Sequence, residues 1–184
     1  MKKKIITQDN LESIINEKEI NNVLFSGINF SDYKFDLKKI NDCEFENCNL
    51  SNITLKNTSL NNVKFIKSKI MGVKFYEISQ FISNFEFEEC QISLSSFSDM
   101  DLENMNFGDS SIIDSDFMRS KLKKANFIYC DLEKTRFIEC DLEKTDFSFA
   151  KNFDISFEQN KFNKTIFSND NAYNLLKYLS IVIK

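Results

Sequence analysis

A strict five-residue rhythm constrains this chain more than any other feature. Between Leu122 and Phe147 the sequence reads LKKANFIYCDLEKTRFIECDLEKTDF, with a large apolar residue at every fifth position. The segment CDLEKTRF, which begins at Cys130, recurs as CDLEKTDF from Cys140. An α-helix repeats every 3.6 residues and a strand every 2, so a period of five fits neither and indicates a repeat architecture.

The rhythm is interrupted once near the middle of the chain. Large apolar residues, which we call rungs, stand at every fifth position from Phe25 to Phe75 and resume at Ile82. The step between those last two rungs is seven residues, so we expect two residues to be inserted within residues 76–81. Surface insertions in a repeat coil cost little, and a bulge or small outward turn is the simplest form for this one.

A second interruption falls near the end of the repeats. Asn152 stands where the rhythm requires a rung, between Phe149 and Phe153. We expect a distorted corner here, with a neighbouring Phe taking the missing interior place. The rhythm then continues through Phe157 to Phe167.

Most residues two positions before a rung are small, which suits a confined interior. Tyr33 and Lys38 are exceptions, so we expect an irregular first coil. All the cysteines occupy this place, namely Cys43, Cys48, Cys90, Cys130 and Cys140. They could serve metal or redox chemistry, but a free Cys packs as a small hydrophobe, and we favour buried filling. Reduced thiols predict an intracellular, cytoplasmic protein.

Composition argues against an enzyme. The 184 residues contain no His, which removes the commonest general base and metal ligand, and the 3 Gly stand far apart. We therefore predict no catalytic residues, no metal site and no cofactor site. The start, MKKKIITQDN, has no following apolar stretch, so neither a signal peptide nor a membrane span is expected.

Charge is unevenly distributed along the chain. Residues 1–80 carry 12 Lys against 10 acidic residues, a net of +2, whereas residues 81–184 carry 12 Lys and Arg against 18 acidic residues, a net of −6. A broad basic surface for a phosphate backbone is absent, so direct nucleic-acid binding is not predicted.

The chain divides into a capping segment (1–19), the repeats (20–168) and a tail (169–184). Residues 1–6 look like a frayed basic end, and Asp9 with Glu12 predicts the N-cap of a short helix. Its apolar face, with Leu11, Ile14 and Ile15, would cover the end of the repeats. Asp170 predicts the N-cap of a C-terminal α-helix.

The consensus of a small residue, Asp or Asn, and then Leu or Phe resembles the pentapeptide-repeat family, as in Ala125-Asn126-Phe127 and Cys140-Asp141-Leu142. Membership implies an all-β solenoid, a right-handed four-sided β-helix in which four pentapeptides make one coil. Rungs one coil apart would then stack in columns. We expect one column of Phe87, Phe107, Phe127, Phe147 and Phe167, and an opposite one of Phe97, Phe117, Phe137 and Phe157.

The tail resembles a particular group within that family. LLKYLSIVIK, from Leu175 to Lys184, is similar to the end of the Qnr quinolone-resistance proteins, with Ser180 where that group usually has Gly. In those relatives and in MfpA the C-terminal helix pairs two rods into a homodimer. The resemblance assigns a dimer interface to Tyr173, Leu175, Leu176, Leu179, Ile181 and Ile183.

The same resemblance implies a function. Qnr-like proteins protect DNA gyrase and topoisomerase IV from fluoroquinolones, and their acidic rods have been taken to mimic DNA. The alternative is a β-helical interaction scaffold for an unidentified partner. The candidate partner-binding surface consists of the aspartates beside rungs, Asp101, Asp116, Asp131, Asp141 and Asp146. The consensus also favours Asp at these positions for turn hydrogen bonds, which is the competing interpretation.

Overall fold

The sides of the rod are short parallel strands, each paired with the same side of the next coil. The computed structural model of the protein describes residues 3–79 and 83–179, and it confirms the right-handed, four-sided β-helix. Within these described residues the strands form one seven-stranded and one three-stranded sheet. Their bounds are β1 Lys4–Ile6, β2 Glu19–Asn21, β3 Val23–Ser26, β4 Lys39–Asn41, β5 Glu44–Glu46, β6 Ser59–Ile66, β7 Lys69–Met71, β8 Asn84–Glu88, β9 Gln91–Ser93 and β10 Ser111–Ile113. Beyond β10 the sides pair through isolated parallel bridges.

Left-handed corners explain why the period is five. The residue two places after almost every rung has positive φ, as at Asn47 (54°), Asn52 (56°) and Asn57 (54°). Asn and Asp tolerate this conformation better than other non-glycine residues. In the later coils the corners carry bulkier side chains, including Lys124 (55°) and Lys144 (56°). Each side is therefore a short extended segment followed by a tight turn.

Stacked aromatic rings fill the rod along two opposite sides. The first column is confirmed, and it begins earlier than predicted because Phe25, Phe45 and Phe65 precede Phe87. Neighbouring rings in it lie 4.7 to 5.4 Å apart between centroids. The second column, from Phe75 to Phe137, meets the first edge to face. Phe127, for example, stacks on Phe107 at 4.7 Å and meets Phe117 at 5.5 Å and 85°.

Many of the small residues before the rungs are hydrogen-bond donors as well as filling. Thr135 Oγ1 donates to the carbonyl of Ile112 at 2.7 Å, and Cys130 Sγ lies 3.0 Å from that of Phe107. All the cysteines are buried and free. Burial raises the pKa of Cys130 to about 12 and that of Cys140 to about 11. The thiols therefore stay protonated at neutral pH, which suits donation to a carbonyl and disfavours redox or metal chemistry.

The structure contains the two inserted residues that the rhythm predicts. The pairing of β5 with β6 joins Phe45 to Phe65, which are one regular coil of four pentapeptides apart. The pairing of β6 with β8 joins Phe65 to Phe87, so this coil is longer by two residues. A 3₁₀ turn over Phe75–Glu77 begins the irregular stretch. Part of the predicted insertion, and the rung at Ile82, lie outside the described residues.

In the last coil one predicted rung, Phe157, is wrong. Asp131 pairs with Lys151, one regular coil on, but Arg136 pairs with Asp154, which is two positions short of a regular coil. The chain turns its left-handed corner at Asn152 (φ 55°), two residues before the regular place, so Ile155 arrives under Phe137. Phe157, predicted to be a rung, is 38% exposed instead. As expected, a neighbour of Asn152 turns inward: Phe153 is buried.

The N-terminal end differs from expectation in two ways. Residues 4–6 are not frayed, because β1 pairs with β3 and buries Ile6. The predicted helix is a 3₁₀ helix over Gln8–Ser13 with Thr7 as N-cap, so the assignment of Asp9 as N-cap is wrong. The helix begins earlier because Asn10, rather than Glu12, bonds back to the N-cap residue: its Oδ1 accepts the Thr7 N–H at 2.7 Å.

The capping segment covers the end of the rod. Lys38 and Tyr33, which are unsuited to the interior, hold it there through hydrogen bonds. Ile15 is buried, and Leu11 and Ile14 pack against the core. Lys38 Nζ donates to the Ile15 carbonyl at 2.8 Å, and the Tyr33 hydroxyl donates to it at 3.1 Å. Lys38 and Tyr33 lie two positions before a rung, where later coils have small hydrogen-bond donors such as Thr135. In the first coil the capping segment takes the place of a preceding coil, so the longer side chains donate to it.

At the other end α1 spans only Asn169–Ala172 and a 3₁₀ helix continues over Tyr173–Leu179. The N-cap is Ser168, so the assignment of Asp170 is wrong. Asn171 Nδ2 donates to the carbonyls of Phe147 (2.9 Å) and Ala150 (3.1 Å), which continues the donor ladder where the coils end. Within the described residues, no helix has the length and apolar character needed to cross a bilayer.

Candidate interaction surface

The predicted aspartates lie on four different sides of the rod. Asp101 and Asp141 share one ladder, in the order Asp101, Lys121, Asp141, Lys161. The other three belong to three separate ladders, beside Arg136, Lys151 and Asn126 respectively. As a set they do not form one continuous surface, and their role in partner binding stays a prediction.

Most of these carboxylates are already engaged within the rod. Asp101, Asp131, Asp141 and Asp146 each accept the backbone N–H two residues on, which is the turn role that the consensus favours. Asp116 forms a bidentate pair with Arg136 one coil later. Asp101 pairs with Lys121 at 3.2 Å.

Asp141 is the most strongly held of the five. Partial burial works to raise its pKa, but the hydrogen bond from Lys161 (2.9 Å), the Glu143 N–H and the charge of Lys123 outweigh it, and the pKa is lowered. Its ladder alternates acid and base from coil to coil. Opposite charges in neighbouring coils stabilise the register of the coils, and their long-range electrostatic potentials cancel. This side of the rod therefore does not resemble the uniformly negative phosphate backbone of DNA.

A more one-sided run of acidic residues lies on the sheet formed by β5, β6 and β8. Glu44 and Glu86 flank Lys64, and they raise its pKa chiefly through the hydrogen bond and charge of Glu86. Glu46 and Glu88 lie on either side of the uncharged Ile66. A count of charge by chain halves hides this sheet, because β5 lies in the half with the net positive charge. Aligning the sequence coil by coil, with the insertion allowed for, would have found it.

An open groove of about 850 Å³ runs between the last coil and the C-terminal helices. Its apolar lining comes from Tyr129, Phe149, Phe153 and Tyr173, and Lys151 and Asp170 stand among its polar groups. The sequence predicted a distorted corner at Asn152, between Phe149 and Phe153, and a separate tail over residues 169–184. It could not show that they meet to form one concave site.

Two aromatic rings at the groove lie outside the rod although they follow the rhythm. Tyr129 and Phe149 occupy the same corner of two consecutive coils, both with φ of 59°, and their rings stack at 5.0 Å and 14°. They are 57% and 47% exposed. A bulky residue in the left-handed region has a strained backbone. These rings are exposed, so they lack the favourable free energy of burial that stabilises the Phe columns. Leu37 and Leu94 also occupy exposed left-handed corners, so what sets these two rings apart is that they stack on each other at the groove.

The structure describes part of the predicted dimer interface. Tyr173 is 60% exposed and lines the groove, whereas Leu175 is partly buried against the core and Leu176 is half-buried. The side chain of Leu179, and the whole of Ile181 and Ile183, lie outside the described residues. Among the described residues, no group of His, Cys, Asp and Glu side chains is arranged to hold a metal ion.

The repeated geometry agrees with a comparison of family sequences. A family model described as a pentapeptide repeat region matches residues 18–97, 38–117 and 94–167. The chain belongs to the pentapeptide-repeat family. No curated protein matches it over its sequence.

Among solved structures of pentapeptide-repeat proteins, this chain is similar to QnrB1, described as a plasmid-mediated fluoroquinolone resistance protein. One trypsin-treated variant of QnrB1 has a TM-score of 0.65 at 15% identity, and a second has 0.62 at 16%. Each match covers 90% of this chain and 90% of the other. The likeness is one of fold over nearly the whole length of both proteins.

Proposed function

We propose that this pentapeptide-repeat protein is a non-enzymatic, homodimeric binding protein that engages DNA gyrase or topoisomerase IV and protects it from fluoroquinolones. The observation that carries the proposal is the match to the fluoroquinolone resistance protein QnrB1, which covers 90% of both chains. The tail LLKYLSIVIK supports it, because it resembles the end of Qnr proteins beyond the repeats that the whole family shares.

DNA mimicry, if it contributes, needs a surface of one sign. Duplex DNA carries one charge per ~1.7 Å, so a segment of about 35 Å carries about 20 charges. The alternating ladder of Asp101, Lys121 and Asp141 does not supply them. The sheet that carries Glu44, Glu46, Glu86 and Glu88 is the better candidate. Lys3 pairs with Glu44 and Lys64 pairs with Glu86, so the proposed acidic surface centres on Glu46 and Glu88.

The test is gyrase supercoiling in the presence of a fluoroquinolone at a concentration that blocks it. The purified protein is expected to restore supercoiled product in a dose-dependent way. Failure to restore it at every concentration, up to the one at which the protein itself inhibits gyrase, would refute the proposal. The heat-denatured protein is the control for non-specific effects of added polypeptide.

A matched pair of variants separates the two acidic surfaces in the same assay. Glu46→Gln with Glu88→Gln removes charge from the one-sided sheet, and Asp101→Asn with Asp116→Asn removes the same charge from paired ladders. Mimicry through the sheet predicts that the first double variant needs several-fold more protein for the same rescue. Equal rescue by both would remove the acidic sheet from the mechanism.

The second candidate is an interaction scaffold for a different protein partner. The observation that favours it is the cancellation of charge by cross-coil pairs such as Arg136 with Asp116 and Lys161 with Asp141. Immobilised protein that captures a non-topoisomerase partner, while purified gyrase fails to bind it, would decide for the scaffold.

A further inference from the structure

Four exposed lysines in the first three coils, residues 20–79, form no ion pair with any described residue. They are Lys34, Lys56, Lys69 and Lys74, which we call the basic face. Later in the rod several lysines pair across coils, as Lys121 does with Asp101 at 3.2 Å. From residue 47 to residue 76 the chain contains no Asp or Glu, so the neighbouring coils offer these four few partners. Their charge is therefore available to a ligand.

All of the basic face except Lys69 lies opposite the acidic sheet formed by β5, β6 and β8. Lys74 directly precedes Phe75, where the second Phe column begins. Glu44 and Glu46 flank Phe45, which belongs to the first column on the opposite side. A charge count over residues 1–80 adds these two sides together and gives only +2. The fold separates them, so one side of the rod is basic although the chain as a whole is acidic.

The lysines are spread along the rod rather than gathered at one point. Lys34 pairs with Thr54 one coil later, and Lys74 follows Thr54 by one more regular coil. The backbones of Lys34 and Lys74 are therefore separated by about 10 Å along the rod, at ~4.8 Å per coil. Lys56 leaves the rod on the same side as Thr54, because the two residues flank the buried Leu55. An extended polyanion that lies along this side can meet several of these charges at once.

A glycine corner connects this side of the rod to the neighbouring side, which carries Lys69. Gly72 is the exposed corner between Lys69 and Lys74, with φ of 70°. A Cβ at residue 72 would lie only 2.7 Å from Asn52 Oδ1 in the preceding coil, so a larger residue would clash. The corner has no side chain of its own, and a ligand that crosses it can approach both lysines closely.

Two aspartates limit the basic face in the first coil. Asp32 occupies a left-handed corner with φ of 59°, and Asp36 Oδ1 accepts a backbone N–H from the next coil at 2.9 Å. Their charges weaken the positive potential around Lys34. The face is therefore strongest in the two later coils, at Lys56, Lys69 and Lys74.

The residue types on the face favour a phosphate backbone as the ligand. The two arginines of the chain, Arg119 and Arg136, both form bidentate pairs with carboxylates. The basic face has only Lys, which binds phosphate as a point charge. A surface for single strands needs exposed aromatic rings on which successive bases stack, and of the described residues from 47 to 79 only Tyr76 has one. The face therefore fits the backbone of a duplex better than a single strand.

We propose that the basic face binds the phosphate backbone of duplex DNA. Lys69 and Lys74 contact phosphates on either side of the Gly72 corner. Lys56 and Lys34 extend the contact along the rod toward the capping segment. Binding through phosphates is independent of base sequence and sensitive to salt. The inference goes beyond the proposed function, because it uses the side opposite the acidic sheet and requires no topoisomerase.

Fluorescence polarisation with the full chain and a labelled duplex of random sequence tests the proposal. Four neutralised phosphates give a log–log salt slope of about −3.6, so the affinity should fall on the order of 100-fold between about 50 and about 200 mM salt. Absence of binding at the lower salt concentration, at every protein concentration reached, would overturn the proposal. Polyglutamate that displaces the labelled duplex as well as unlabelled duplex does would also overturn it, in favour of an acidic protein partner.

A matched pair of triple variants assigns the contact to the basic face. The first variant combines Lys56→Gln, Lys69→Gln and Lys74→Gln, and its salt slope should shrink to about −0.9. The control combines Lys121→Gln, Lys124→Gln and Lys161→Gln, which removes the same charge from exposed lysines that pair with Asp101, Glu103 and Asp141. Its slope should stay within about 0.5 of that of the unchanged protein. Equal losses in both variants would show that net charge, and not the basic face, governs binding.

Acetylation of the unchanged protein maps the contact without any substitution. With saturating duplex, the lysines of the basic face should react more slowly with an acetylating reagent, whereas Lys121 and Lys161 should react at the same rate as without DNA. Mass spectrometry of the digested protein measures both groups in one experiment. Protection that is absent from the basic face, or spread evenly over all lysines, would overturn the assignment. Because gyrase is absent from these experiments, their failure leaves the rescue assay unaffected.

Discussion

The regular coils between residues 97 and 147 and the last coil after residue 149 use the same residue types for opposite purposes. In the regular coils every Phe points inward, and Phe117 and Phe127 are fully buried in stacked columns. In the last coil Phe149 and Phe157 point outward, and the exposed ring of Phe149 stacks on that of Tyr129. The place of a residue in the folded coil, on a side or at a corner, rather than its type, therefore decides whether an aromatic residue builds the rod or presents a surface.

The largest expected effect contrasts an inner and an outer ring. Phe127→Ala should lower the free energy of unfolding by about 3 to 5 kcal/mol, because it opens a cavity among Phe107, Phe117 and Phe147. Phe149→Ala should lower it by about 1 kcal/mol or less, since its ring is half in water and loses one stacked partner. Urea denaturation followed by circular dichroism measures both. Equal losses would break the distinction between the two regions.

The donor ladder inside the regular coils should give the next largest effect. Thr135→Val removes the hydrogen bond to the Ile112 carbonyl without a change of shape, and we expect a loss of about 1 to 3 kcal/mol. Thr54→Val is the matched control, because the buried Thr54 Oγ1 has no hydrogen-bond partner among the described residues. Chemical denaturation of the control should show no loss. Similar losses in both variants would mean that packing, not the ladder, accounts for the cost.

Charge pairing between coils should contribute less and depend on pH. Lys161→Met removes the main cationic partner of Asp141, and we expect a loss below about 1 kcal/mol at pH 7 because Lys161 is exposed. The pKa of Asp141 is lowered in the folded protein, so the pair stabilises above the unfolded pKa near 4 and its contribution disappears as pH falls through the folded pKa. Thermal unfolding should therefore show a smaller difference from the unchanged protein at pH 2 than at pH 7. A difference of the same size at both pH values would exclude the ion pair as its cause.

The smallest expected effect concerns the corners. Lys144→Asn should stabilise the protein by a few tenths of a kcal/mol, since Asn tolerates the left-handed corner at φ 56°. Lys151→Asn, at an exposed position that is not a left-handed corner, should give no gain. Differential scanning calorimetry compares the two melting temperatures. A gain at residue 151 equal to that at residue 144 would show that removal of positive charge, rather than corner geometry, is responsible.

The regular part of the fold could be predicted because one interaction repeats. Each rung and each small residue before it meets the same environment one coil later, so the periodicity of residues such as Phe107 and Phe127 predicts both column and spacing. The inserted residues between Phe75 and Ile82 were visible for the same reason, as a change of phase.

The shifted corner, the charge pairs and the groove could not be predicted from the five-residue period. Whether the corner falls at Asn152 or at residue 154 decides if Ile155 or Phe157 enters the core, and both are apolar. Asp101 and Asp141 looked like a surface in the linear sequence, but the cations opposite them, Lys121 and Lys161, become neighbours only in the coil. The groove was missed because its walls, Phe149 and Tyr173, come from two separate irregular segments.

We propose that the regular coils are structural and that a second copy of the chain binds at the irregular C-terminal end. Light scattering coupled to size-exclusion chromatography tests it most directly, with the full chain beside a chain that stops after Leu179. We predict twice the mass of the 21.6 kDa chain for the full protein and a single chain for the truncated one, with the same circular dichroism spectrum for both. A full-length protein that elutes as a monomer at every concentration would contradict the account.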